Sequence, residues 1–133
     1  LAQWREAHAG LELLLVRGNH DDRAGDPPPA LGVQAVDEPL AMAGLALCHH
    51  PETPAAAYVL AGHVHPGVVL DGRAHQRLRL PCFHFGPRIG LLPAFGAFTG
   101  MHTLRPRPGE RVYVVADGAV HALPVAADPT LAA

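Results

Sequence analysis

Leu13-Leu14-Leu15-Val16-Arg17-Gly18-Asn19-His20-Asp21 opens on four apolar residues and closes on side chains able to bind metals or move protons. A short apolar run bounded by turn residues reads as a buried strand. The pattern returns twice. Leu45-Ala46-Leu47 runs into Cys48-His49-His50-Pro51, and Ala57-Tyr58-Val59-Leu60 runs into Gly62-His63-Val64-His65. Side chains leaving the ends of neighbouring buried strands converge easily on one point. Asn19, His49, His63 and His65 are therefore candidate metal ligands, with His20 beside them.

Outward from these runs, residues 1–8 read as the end of an amphipathic helix stopped at Gly10. Strands are expected over 12–16, 33–36, 45–48 and 58–61, with a loop over 18–29 and at most a brief helix over 55–57. The second half predicts strands over 68–70, 77–85 and 90–97, interrupted by Pro81, Pro87 and Pro93. Proline cannot donate to a ladder, so these positions fit edges or bulges. Asp117-Gly118, between the runs 111–116 and 119–123, is the signal of a type I′ hairpin. The expected fold class is α/β, richer in sheet toward its second half. Residues 1–126 read as one partial domain and 127–133 as a frayed tail.

Hydrophobic residues make up 49% of the 133-residue chain and charged ones 17%, which indicates a globular core and excludes a disordered chain. No apolar run approaches the roughly 20 residues that span a bilayer. Cys48 and Cys82 sit in apolar runs without CxxC spacing, so buried thiols and a reducing cytoplasm are expected. The net charge of −2 does not itself point to nucleic acid. Its distribution is uneven: eight acids face three Arg before residue 53, and four acids face seven Arg from there on. The Arg-rich part is either an ordinary solvated surface or a phosphate-contacting face.

Each candidate motif has a chemical reading and a plainer one. Residues two apart on an extended segment share a side, so His63 and His65 can face one metal cluster; two surface histidines on one strand is the plainer reading. The Asn19 carbonyl oxygen suits Mn²⁺, Mg²⁺ or Fe²⁺, and His20 can protonate a leaving oxygen or stabilise developing charge. Asn-His-Asp-Asp is also ordinary turn chemistry, which accounts equally for Asp21 and Asp22. His49-His50-Pro51 taken alone is a loop with a histidine pair. Trp4 is expected in the core. His75, His84, His102 and His121 are expected at the surface or hydrogen-bonded.

Taken together, the order and spacing of the three motifs resemble those of the calcineurin-like metallophosphoesterases. The likeness runs through residues 11–66 and continues in Leu80-Pro81-Cys82-Phe83 and Leu92-Pro93-Ala94-Phe95-Gly96-Ala97-Phe98-Thr99-Gly100. It implies the C-terminal part of a sandwich of two mixed β-sheets flanked by helices. It also implies metal ligation by Asn19, His49, His63 and His65, and catalysis by His20. His49 is preferred to His50 because it comes first after the strand, and His50 stands where the family usually has Gly. The family centre holds two divalent ions, here expected to be Mn²⁺, with Asn19, His49 and His63 on one and His65 on the other. A metal-activated water then attacks phosphorus in line.

The family's Asp-x-His and Gly-Asp-x-x-Asp motifs, which supply the remaining ligands and a bridging carboxylate, are absent from the 17 residues before Gly18. The chain therefore reads as a fragment, and either half of a phosphodiesterase site or a non-catalytic metal-binding module follows. The later segments resemble the bacterial ligase-associated DNA-damage-response phosphoesterases, which implies a DNA substrate and a DNA ligase and helicase as partners. Nucleotides and lipid-linked diphosphates are the alternative substrates within the superfamily.

Overall fold

The computed structural model describes residues 2–72, 76–96 and 99–125. The expected frayed tail lies outside the described residues, as does His75. The chain is an α/β protein of mixed sheets with few helices. Among the described residues the helices are short: α1 (Ala2–Ala7), α2 (Asp21–Ala24) and a 3-10 turn at Pro29–Leu31.

A small parallel sheet joins β1 (Leu13–Val16) to β2 (Val33–Val36). A parallel pair needs a crossover, which the segment between them supplies through α2 and the 3-10 turn. The pairing continues one residue further, where the Arg17 amide donates to the Val36 carbonyl at 2.9 Å. The Arg17 guanidinium then pairs with Asp26 at 2.7 Å and Asp37 at 2.8 Å. These are exposed ion pairs that contribute little stability each. Their effect is positional: they tie the loop after β1 to the residues after β2.

The larger sheet contains β3 (Leu40–Met42), β4 (Leu45–Cys48), β5 (Tyr58–Ala61), β6 (Pro66–Asp71), β7 (Arg77–Phe85), β8 (Ile89–Leu91), β9 (His102–Thr103), β10 (Arg111–Ala116) and β11 (Ala119–Leu123). Its order is β11-β10-β7-β8-β5-β4-β3, with β6 added on β7 and β9 on β6. Neighbours β4, β5 and β8 run parallel, in register Cys48↔Ala61 and Ala61↔Leu91. Their C-terminal ends therefore share one edge.

The Asp117-Gly118 turn has positive φ at both residues (50° and 72°), the type I′ geometry its sequence predicts. Strand β3 was not expected. It forms a hairpin with β4 through Ala43-Gly44, again with two positive φ angles (49° and 78°), but Ala-Gly lacks the usual Asn-Gly or Asp-Gly signal. Pro81 lies inside β7 where that strand changes partner: residues before it pair with β6, and Cys82 onward pairs with β10. Pro87 and Pro93 fall outside the strands, so neither removes a ladder bond.

Among the described residues the buried core has two clusters. Ala46, Cys48, Val59 and Ala61 form one on β4 and β5, and Val68, Cys82, Val112 and Val114 form the other on β6, β7 and β10. Both cysteines are free, and burial pushes the thiols up, Cys82 to about 11. Trp4 is not a core residue. It is exposed and stacks on His8 at 4.4 Å, because α1 meets no apolar face among the described residues. No helix of the described chain is long and apolar enough to cross a membrane.

Candidate metal centre

Parallel pairing of β4 with β5 decides where the histidines go. His49 follows Cys48 directly, and the His63 amide donates to the His49 carbonyl at 2.9 Å, so the two residues leave adjacent strands side by side. Their rings meet: His63 Nδ1 lies 2.8 Å from His49 Nε2. Asn19 arrives from the end of β1, and its Oδ1 lies 2.8 Å from the same His49 nitrogen. Gly18 makes that approach possible, since a Cβ at this position would collide with the His49 ring.

His50 completes a triangle of imidazoles. Ring centroids are 4.6 Å apart for His49 and His50, 4.7 Å for His49 and His63, and 4.6 Å for His50 and His63. One ring nitrogen from each lies within 4.8 Å of the others. Glu38, two residues past β2, holds this corner. Its Oε2 accepts the backbone amides of His49 (2.6 Å) and His50 (2.8 Å), and its Oε1 faces His50 Nδ1 at 2.7 Å. Burial works to raise the Glu38 carboxyl, but the three hydrogen bonds outweigh it and hold the group below the usual glutamate value. His49 is shifted down, first by burial and then by the neighbouring His50 and His63, which outweigh Glu38 and Asp21. A histidine kept neutral in this way offers a lone pair.

The arrangement fits a cation. Oxygen and nitrogen ligands at about 2.0–2.2 Å from a six-coordinate ion lie about 3 Å from each other. Asn19 Oδ1 and His63 Nδ1 each lie 2.8 Å from His49 Nε2. A proton at His49 Nε2 has to be shared between the other two atoms, whereas a cation among the three satisfies all of them. One amide oxygen with imidazole nitrogens suits Mn²⁺, Fe²⁺ or Zn²⁺.

The remaining candidates lie around this point. His20 is exposed at the start of α2, next in sequence to Asn19, and its side chain makes no capping bond among the described residues. Asp21 closes the turn, with Oδ2 accepting the Gly18 amide at 2.9 Å, which is the turn reading of that residue. The Asp22 side chain lies outside the described residues. His65 departs from the period-two argument. Residues 63–64 form a turn and His65 has φ of 51°, so the segment is not extended. Its Nδ1 faces the Gly100 carbonyl at 3.2 Å, apart from the three-ring group. His102 is exposed on β9, and its amide donates to the His65 carbonyl at 2.9 Å. His121 is exposed, and His84 is paired with Glu110 at 2.8 Å. Sequence reasoning missed Glu38 altogether, since an acid before a proline in a loop carries no spacing signal.

No family model matches the chain, and no curated protein matches it. Among solved structures, the chain is similar to the Pseudomonas putida nuclease MPE. The two share 45% sequence identity and superpose with a TM-score of 0.80. The match covers 92% of this chain and 59% of the nuclease, so the chain spans a little over half the length of that relative.

Proposed function

We propose that this chain supplies part of the active centre of a metal-dependent phosphodiesterase acting on DNA. The observation that carries the reading is the convergence of Asn19 Oδ1 and His63 Nδ1 on His49 Nε2, each at 2.8 Å. Likeness to a nuclease at 45% identity supports it. A divalent cation, Mn²⁺ by the calcineurin-like resemblance, neutralises charge on phosphate oxygens and activates water when bound. Asn19, His49 and His63 hold it. His65 serves a second cation position, completed by carboxylates of motifs that these residues do not contain. His20, exposed beside Asn19, is free to reach a substrate and protonate the leaving oxygen. The Arg17 pairs and the Asp21 turn keep Asn19 and His20 in place relative to His49. A DNA ligase and a helicase are the proposed partners and the cytoplasm the proposed compartment, both on the strength of the resemblance.

The test is Mn²⁺-dependent hydrolysis of bis(p-nitrophenyl) phosphate and of plasmid DNA. It compares this chain with a fusion carrying the part of the P. putida nuclease outside the shared region. The fusion is expected to turn over both substrates. His20→Ala in it is expected to cost about 10²–10⁴-fold, the range for a general acid. A fusion that binds Mn²⁺ but hydrolyses neither substrate overturns the reading.

A further inference from the structure

We propose that His50 is a further ligand of the cation held by Asn19, His49 and His63, and that Glu38 is the positioning residue that prepares it. The inference rests on the reading of this cluster as a cation site and adds a donor beyond the single histidine that the family resemblance supplies at this strand end.

The hydrogen bonds of Glu38 fix the chemistry of His50. A carboxylate only accepts, so the 2.7 Å contact at Oε1 requires a proton on His50 Nδ1. In the neutral ring this leaves Nε2 with the lone pair. A carboxylate that takes one ring N–H sets the tautomer and raises the basicity of the other nitrogen, an arrangement common behind metal-binding histidines. The ring then sits 4.6 Å, centroid to centroid, from both His49 and His63. An imidazole held at this distance from two others by a carboxylate is placed as a donor, not as a solvated side chain.

Glu38 also fixes the main chain. Its second oxygen takes both the His49 and His50 amides, so neither of the two peptide units flanking His49 can turn without breaking a hydrogen bond to Glu38. The acid comes from the end of the small sheet, where Asp37 beside it pairs with Arg17. One carboxylate thereby ties the β1–β2 unit, which carries Asn19, to the end of β4, which carries His49 and His50. Its side chain is 21% exposed and that of His50 30%, so the pair is shielded enough to keep this geometry.

The experiment titrates the full chain with MnCl₂ by calorimetry and counts imidazole nitrogens on bound Mn²⁺ by pulsed electron paramagnetic resonance. His50→Asn is the central variant. The Asn side-chain amide falls near the position of Nδ1 and still donates to Glu38, while Nε2 is lost. Expected is a weakening of Mn²⁺ affinity by at least about tenfold and the loss of one coordinated imidazole, with the far-ultraviolet spectrum unchanged. Glu38→Gln is expected to weaken affinity by about 10–100-fold, the range for partners behind a ligand, and to keep the nitrogen count. If His50→Asn leaves affinity and count unchanged while His49→Ala and His63→Ala lower both, His50 is structural and the proposal is overturned. If none of the three histidine substitutions changes Mn²⁺ binding, the cation reading itself falls, and this proposal with it.

Discussion

Two glutamate–histidine pairs of nearly equal length lie in different parts of the molecule. Glu38 meets His50 at 2.7 Å, at the shared ends of the parallel strands. Glu110 meets His84 at 2.8 Å, where β7 pairs with β10. Both carboxyls are held below the usual glutamate value, because hydrogen bonds from a histidine side chain and from backbone amides outweigh burial. The Glu110 pair is the more enclosed, at 14% and 18% exposure against 30% and 21% for His50 and Glu38. The difference is in the second ring nitrogen. His50 belongs to a group of three imidazoles whose donor nitrogens lie within 4.8 Å of one another. His84 Nδ1 is buried with no hydrogen-bond partner among the described residues. The cavity of about 340 Å³ beside it is lined by Pro51, Pro87, Arg88, Ile89 and Leu91 together with His84 and Glu110. A carboxylate can set a histidine tautomer anywhere, but the imidazole becomes a metal donor only where other lone pairs converge on the same point.

Three substitutions or conditions sharpen or break this contrast. The largest effect is expected from Gly18→Ala. The new methyl group collides with the His49 ring, which must turn away from Asn19 and His63. Mn²⁺ affinity is expected to fall by about 100-fold, equivalent to roughly 2.7 kcal/mol. Calorimetry that finds wild-type affinity in Gly18→Ala would show that His49 is not held by this contact.

Next comes Glu110→Ala. It strands His84 Nε2 and the Arg107 amide, which Glu110 Oε2 accepts at 2.8 and 2.7 Å. The Arg107 amide is exposed and can turn to water, but the part-buried His84 ring loses its partner, which costs about 1–3 kcal/mol, so urea denaturation should show a destabilisation of about 1–2 kcal/mol. Mn²⁺ affinity is expected to stay within twofold of wild type. A parallel loss of affinity would mean that the two pairs are coupled through the cavity that Pro51, His84 and Glu110 line together.

The smallest effect is on acidification. Both glutamates titrate lower when folded than when unfolded, so the unfolded chain binds more protons as the pH drops. Their contribution is present above the ordinary glutamate value of 4.5 and is lost as pH falls through the folded values below it. The thermal midpoint without metal should therefore decline below about pH 4.5. Glu110→Gln, which removes one of the two titrations, should flatten that decline. An equally steep decline in the variant would assign the acid lability elsewhere.

The sequence was most legible where structure is local. Strand β7 and the β10–β11 hairpin fall where residues 77–85, 111–116 and 119–123 place them, because alternation and an Asp-Gly turn act over a few residues. Strand β3 escaped, since Ala43-Gly44 makes the same left-handed turn without its usual residues. The His63 and His65 argument assumed an extended backbone. A turn at 63–64 sends the two rings to different partners, His49 and the Gly100 carbonyl. Trp4 was expected in the core, and α1 leaves it exposed.

By itself the sequence determined the α/β class, the strand ends that carry Asn19, His49 and His63, and a family resemblance in which each has a role. These follow from short apolar runs and the residues directly after them, information that does not depend on the rest of the chain. Only the tertiary structure decided which atoms meet. Parallel pairing of β4 with β5 set His49 against His63, and the β1–β2 unit carried Asn19 across 30 residues to the same nitrogen. Glu38, 11 residues before His49, became the clamp of the site through three hydrogen bonds that no sequence spacing encodes. The physical reason is that hydrogen-bond partners distant in the chain are chosen by strand register and loop closure, which arise only when the whole sheet forms.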